Sequence, residues 1–529
     1  MGMNQTSRPL SAFLVAFLVA AAAAQTKSLP DDRKQGGDAV TIAEAKQWLH
    51  HLAGPELAGR GTGQPGFQLA AEYVRDHFIA LGLEPGAKGE WFQAMPWTAR
   101  EPKLDATSVT FAKGETKVVV PGARLQGSAN ASMSANGDAL LVVWADGEDL
   151  EDTDVQGKVV VIAFPPMPEP TGERRGRSNA TRRQFQALRT VQGKGAAAVL
   201  FMQQEAVTGG LVGSSGPGAG NPAARARGRM PTSLSFGGDD QKHLLQLAGK
   251  TEMPAAGVHA LNVKASIEIA VDEKPAPAYN VVGLLKGSDP KLAAEYVMIG
   301  SHLDHLGRSN GNVYPGADDD GSGTTGVMAV SQMFAKNGTR PARSVLFVCF
   351  CGEEMGLLGS RYLADNLPVA AESIIAELQM DMIGRDEEEN MEGDAGELAA
   401  NNLNTVHLVG TQKLSPALHD LCLQRNENIG LEIEWDQEKM FDRSDHANFA
   451  RLGIPIAFFF TGLHRDYHQT TDTPDKINYE KLLRISRWVY DVGFELGVQQ
   501  RRPEVDPELW EKYRGKGRAM PAAPMMPGK

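Results

Sequence analysis

Histidines and carboxylates crowd one short stretch of this chain. Residues 300–326 read G-S-H-L-D-H-L-G, a short loop, then G-A-D-D-D-G-S-G-T-T-G, and so gather His302, Asp304, His305, Asp318, Asp319 and Asp320. Further on come the pair Glu353-Glu354, Asp381 inside the otherwise uncharged run Leu378–Gly384, and Tyr467-His468. Imidazoles and carboxylates are the donors that zinc and harder divalent cations take. A carboxylate inside an apolar strand needs a partner or a metal. Singly, each group has an ordinary reading: His302 as a hydrogen-bonded core histidine, the three aspartates as a helix cap, Glu353 and Glu354 as solvated, His468 as a loop residue. All of them at the ends of apolar runs in one region point instead to a metal centre. Gly321–Gly326 also fits G-x-G-x-x-G. It follows an acidic loop rather than a strand, and no acidic residue ends a next strand about twenty residues on, so a dinucleotide site is rejected.

The elements that must carry these groups alternate. Apolar runs predict strands at Asn280–Leu285, Tyr296–Ser301, Ser344–Cys351, Ser373–Met382, Val406–Gly410 and Ile454–Thr461. Helical patterns fall near Thr325–Ala335, Leu357–Asn366, Ser415–Gln424 and Tyr479–Leu496. This alternation predicts a three-layer α/β/α sandwich with a mainly parallel central sheet. The candidate residues then sit at strand ends, where ligands bind in open α/β sheets. Residues 40–104 also read as helical and supply the first part of this domain, which resumes at 275–500. Between them, 105–274 is β-rich, with short β-branched runs between turns, and predicts an inserted domain. It carries an arginine patch, Arg174, Arg175, Arg177, Arg182, Arg183, Arg225, Arg227 and Arg229, readable as a solvated surface or as a rim for acidic substrate.

The ends and the composition add bounds. Residues 1–24 read as a signal peptide: Arg8, an apolar core from Leu10, and Ala22-Ala23-Ala24 as the cleavage signature. Residues 25–39 read as a flexible leader and 501–529 as a disordered tail. No other run is long enough to span a bilayer, so an exported protein, periplasmic or extracellular, without a stable membrane anchor is expected. The net charge of −12 argues against nucleic acid as a partner. Three cysteines cannot form a disulfide framework, and Cys349 and Cys351 read as buried free thiols.

The set His302-x-Asp304, Gly316-Ala-Asp-Asp-Asp-Gly-Ser-Gly323, Glu353-Glu354-x-Gly356-Leu-Leu-Gly-Ser360, Asp381-Met and Tyr467-His468 resembles metallopeptidase family 28, the two-zinc exopeptidases. Leu57-Ala-Gly-Arg-Gly-Thr-Gly63 and Ser444-Asp-His446 resemble family segments too, and the β-rich insertion resembles the protease-associated domain. The resemblance covers about residues 40–500. It implies two Zn²⁺ per chain and a peptide substrate. Asp319 would bridge the ions, His302 and Asp381 would complete one site, and Glu354 and His468 the other. Glu353 would be the general base for a hydroxide shared by the zincs. Asp304 would hold His302 through its second ring nitrogen, and Asp318 and Asp320 would shape the loop, with a cis peptide expected after Asp319. Tyr467 would polarise the scissile carbonyl or steady the oxyanion. His305 has no counterpart as a ligand and is left as a bystander.

The resemblance implies an aminopeptidase. A carboxypeptidase or dipeptidase on the same fold is the alternative, and would need a basic pocket, for which Arg443 and Arg385 are the candidates. A one-zinc glutaminyl cyclase and a non-catalytic receptor-like protein are disfavoured by the complete ligand set. The specificity pocket is assigned to the loops 386–402 and 431–442. The acidic run Asp386-Glu-Glu-Glu389 is read as solvated rather than as a site for a free amino terminus.

Overall fold

The computed structural model describes residues 28–144, 153–165, 175–205, 207, 210–213, 215–217, 233–309, 311–388 and 402–514. Two large sheets organise it. The first has nine strands, in the order Glu84–Pro85, Tyr279–Leu285, Ser344–Phe350, Tyr296–His302, Ile374–Met380, Ile456–Phe460, Thr405–Val409 and Glu432–Glu434, with Phe92–Ala94 also paired to Tyr279–Leu285. The four central strands, Ser344–Phe350 to Ile456–Phe460, run parallel. The strands flanking them pair antiparallel. Both faces of the centre are covered, which is why these strands are unbroken apolar runs rather than alternating ones. Val297, Ile299, Val345 and Phe347 pack on one face with the helices Ile42–Leu52, Pro65–Ala80, Gly321–Lys336 and Tyr479–Val498. Met298, Leu346, Val348 and Ile456 pack on the other with Leu363, Phe449 and Trp510. This is a three-layer α/β/α sandwich. The predicted strands and helices each fall on an observed element, shifted by a residue or a few at the ends.

The second nine-stranded sheet lies between Ser108 and Ile269 and has its own cores, built on Val109, Phe111, Leu141, Val161 and Phe236 on one side and Val142, Val160, Ile162 and Phe201 on the other. The chain enters and leaves it through Trp97–Pro102 and Val271–Pro275, which pair antiparallel. Of the arginine patch, Arg174, Arg225, Arg227 and Arg229 lie outside the described residues, as do segment 1–24, expected to be a signal peptide, and Glu389. Arg183 stacks over Phe164.

Two expectations at the ends need correction. The leader folds from residue 28: Asp31–Gly37 is helical, and Arg33 is buried against Asp491 and Glu495, both at 2.9 Å. The tail is ordered through residue 514. Pro507–Arg514 is a helix, Asp506 accepts from the backbone N–H groups of Glu508 and Leu509 at its start, and Trp510 enters the core. Polar composition hid both, because one buried arginine or tryptophan anchors each segment. The cysteines are free and buried.

Candidate metal centre

Three strand ends and one later loop bring the donors together. His302 is the last residue of Tyr296–His302, Glu353 and Glu354 follow Ser344–Phe350, and Asp381 follows Ile374–Met380. Asp319 lies just before the helix Gly321–Lys336, and His468 comes from the loop after Ile456–Phe460. Asp319 is the meeting point. Its Oδ1 is 3.2 Å from Nε2 of His302, which is also 3.5 Å from Oδ1 of Asp381. Its Oδ2 is 3.1 Å from Nε2 of His468, which is also 3.1 Å from Oε2 of Glu354. Two donor sets therefore share one carboxylate. Glu353 belongs to neither: its Oε2 stands 3.9 Å from His302 Nε2.

The sets suit metal ions. His302, Asp319 and Asp381 each offer an atom within 4.8 Å of the others, and so do His305, Asp319 and Glu354. Asp319 Oδ2 and Glu354 Oε1 are buried and make no hydrogen bond. A buried carboxylate oxygen left without a hydrogen bond is costly unless a cation takes it. Burial works against ionising Asp319, yet His305, His302 and His468 together hold it well below the usual carboxylate range. Burial pushes Glu353 the other way, well above that range, with the charges of Glu354, Asp445 and Asp381 adding and His302 opposing. The neighbouring glutamates thus sit in environments that separate a ligand from a proton carrier.

The supporting groups differ in part from expectation. His302 Nδ1 is held at 2.9 Å by the backbone carbonyl of Asp304, not by its carboxylate, whose Oδ1 is 4.0 Å away. That carboxylate instead accepts from the backbone N–H of Glu353 at 3.1 Å. The turn at 302–304 presents the main chain to the ring, so the side chain is free to fix the next strand end. Asp320 shapes the loop through three backbone bonds, accepting from Gly323 (2.8 Å), Met382 (3.0 Å) and His302 (3.1 Å). Asp318 accepts from Gly384 N–H and from His464 Nε2, and Asp472 accepts from the backbone N–H groups of Asp318 and Asp319. The Asp319–Asp320 peptide is cis.

A pocket opens beside the donors, lined by His302, Asp319, Glu353, Asp381, Tyr467 and Arg443 and walled by Met382, Met440, Phe458, Phe460 and Leu463. Tyr467 stacks on His468 at 3.9 Å between ring centres. Arg443 makes no side-chain hydrogen bond or ion pair among the described residues. Arg385 does not line the pocket. It is spent on Asp466 (3.2 Å) and Glu388 (3.4 Å), since two carboxylates reach it first. The acidic run is not solvated either: Asp386 pairs with Lys481, Glu387 is buried on His407, and Glu388 pairs with Arg385 and Arg465.

Sequence reasoning missed Arg60. Its side chain is fully buried and donates to the carbonyls of Leu303 (2.7 Å), Pro315 (2.6 Å) and Gly316 (2.6 Å), bracing both ends of the loop that carries Asp319. The one signal was a cation between glycines in Gly59-Arg-Gly61.

Comparison with known proteins agrees with this geometry. The family described as Peptidase family M28 matches residues 280–492. Leupeptin-inactivating enzyme 1 of Streptomyces exfoliatus is 30% identical over 203 residues, 38% of this chain and 39% of that protein. An aminopeptidase of Pseudomonas aeruginosa is 26% identical over 453 residues, 80% of this chain and 70% of that protein. Across the first relatives, the match spans about two-fifths to three-fifths of their own length. The solved aminopeptidase from Aneurinibacillus sp. strain AM-1 has the same fold, with a TM-score of 0.51 at 19% identity over 90% of this chain and 98% of that one.

Proposed function

We propose, from the premise that this chain belongs to peptidase family M28, that it is an exported zinc aminopeptidase with two ions per chain. The observation that carries the reading is the shared carboxylate: Asp319 faces His302 and Asp381's partner set with one oxygen and His468 with the other, while Glu353 stays outside both sets. His302, Asp319 and Asp381 would hold one zinc, and Asp319, Glu354 and His468 the other. When bound, the ions acidify water and polarise a carbonyl. Glu353, a carboxyl kept ready to carry a proton by its burial, takes the proton of the attacking water and delivers it to the leaving amine. Tyr467 stands at the pocket wall, where its hydroxyl can steady the carbonyl oxygen. Met382, Met440, Phe458, Phe460 and Leu463 make a wall suited to an apolar terminal side chain. The apolar segment before Ala24 supports export, and no helix among the described residues is long and apolar enough to cross a membrane. The second sheet is assigned as a protease-associated domain.

Arg443 favours a second reading, a carboxypeptidase or dipeptidase, because a guanidinium without an ion-pair partner at the pocket could take a terminal carboxylate. Digestion of a peptide library by the zinc-loaded chain decides between them. Shortening from the N-terminus is expected, and shortening only from the C-terminus refutes the aminopeptidase. Glu353→Gln should keep its zinc and lose nearly all turnover. Wild-type turnover in that variant would remove Glu353 from its role.

A further inference from the structure

His305 stands in a position that neither its sequence context nor the family pattern explains. It follows His302 by three residues, and its ring is buried. Nδ1 lies 2.7 Å from Oε1 of Glu354 and 3.7 Å from Oδ2 of Asp319. A buried imidazole so close to carboxylates would ordinarily be hydrogen-bonded to them. It is not: both ring nitrogens of His305, Asp319 Oδ2 and Glu354 Oε1 are all buried without a hydrogen bond. Two other buried histidines beside carboxylates do make such bonds. His464 Nε2 and His407 Nε2 meet Asp318 and Glu387 in hydrogen bonds of 3.1 and 3.0 Å. Donor atoms that crowd together yet do not point at one another are arranged as ligands around a common centre. Four ligands about 2.0–2.1 Å from one zinc in a tetrahedron stand about 3.3 Å from each other. The separations here, 2.7 and 3.7 Å for His305 and 3.1 Å for His468, bracket that value.

The ring is also fixed in place. A side chain on Gly316 would meet His305 Cγ at 2.4 Å, so the glycine at this positive-φ turn leaves the space the imidazole fills. His468 crosses it edge-on, with ring centres 5.7 Å apart.

We infer that His305 is a fourth protein ligand of the Asp319–Glu354–His468 metal position, coordinating through Nδ1. The inference rests on the metallopeptidase reading and goes beyond it. It makes the two positions unequal. The position of His302, Asp319 and Asp381 keeps three protein donors and an open place, as catalytic zinc sites do, whereas its neighbour is closed by four, as structural sites are. The closed position binds more tightly and fills first.

The test uses the full chain, stripped by a chelator and titrated with Co²⁺ alone, followed by calorimetry and visible absorption. The wild type should bind two ions, the tighter one giving the intense bands of a four-coordinate site. His305→Ala should weaken that ion by more than about tenfold and change its bands, leaving the other ion as it was. If His305→Ala binds both ions with wild-type affinity and bands, the inference is overturned while the metallopeptidase reading stands. If the wild type binds no ion, both fall. Should circular dichroism show the variant unfolded, X-ray absorption of the zinc-loaded wild type decides. Three imidazoles per two ions support the fourth ligand, and two per two ions overturn it.

Discussion

Arg60 offers the sharpest test of how this centre is held. Three of its N–H groups meet main-chain carbonyls at 2.6–2.7 Å, those of Leu303, Pro315 and Gly316, and a fourth contact reaches Leu52 O at 3.3 Å. Leu303 follows the ligand candidate His302, and Gly316 opens the turn to Asp319, so one guanidinium ties together the two segments that meet at the shared carboxylate. Arg60→Ala leaves the carbonyls of Leu303 and Pro315 without a donor, while Gly316 O keeps the backbone N–H of Gly321 at 3.2 Å. Each costs about 1–3 kcal/mol when left unmade. The variant is relieved of burying a full charge, and water entering the vacated space recovers part of the loss, which places the net effect at about 2–4 kcal/mol. That is a large share of a typical domain stability of about 5–15 kcal/mol. Arg60→Lys keeps the charge but replaces the planar fork by a compact ammonium that cannot span three carbonyls, so it should recover less than half. Urea unfolding of the metal-free chain measures the stability, and zinc affinity should fall alongside it as the loop loosens. A metal-free Arg60→Ala within about 1 kcal/mol of wild type would refute the reasoning, because it would mean that the loop holds its shape without the guanidinium.

Other changes separate the remaining roles. Asp304→Ala should keep His302 in place, since the backbone carbonyl holds its ring, and should lower kcat by freeing the Glu353 backbone; zinc content and kcat measured together check this, and loss of the zinc would contradict it. His407 is buried between Asp436 and Glu387. Burial lowers its pKa, but the two carboxylates outweigh that and push it up to about 9. A raised folded-state pKa gives stability that is complete below the unfolded value of about 6.5 and is lost as pH rises through about 9, worth about 3 kcal/mol at most and less where Asp436 is exposed to solvent. The melting temperature of the wild type should therefore fall relative to His407→Gln between about pH 6.5 and 9, and parallel curves would refute the pairing. Trp510→Ala should cost about 3–5 kcal/mol in urea unfolding, as a buried tryptophan does; no loss would mean that the C-terminal helix does not belong to the core.

What the sequence revealed follows from how each feature is encoded. The central strands were legible because both their faces are buried, which leaves continuous apolar runs such as Val345–Phe350 and makes a charge like Asp381 conspicuous. Donor types were legible for the same reason. Choices between chemically equivalent partners were not. Whether His302 is held by the carbonyl or the carboxylate of Asp304 depends on loop dihedrals that no residue type records. Arg385 and Arg443 looked alike as pocket cations. They are distinguished only by where carboxylates lie in space: Asp466 and Glu388 reach Arg385, while Arg443 keeps its place on the pocket. Arg60 carries no periodicity, since it acts through main-chain carbonyls of residues more than two hundred positions away. His302 and His305 make the point most directly. Three residues apart, one ending a strand and the other in the loop after it, they are indistinguishable by type, yet the fold turns one towards each oxygen of Asp319. Imidazoles stand on both sides of the Asp319 carboxylate, and only the path of the chain after the strand decides which histidine stands where.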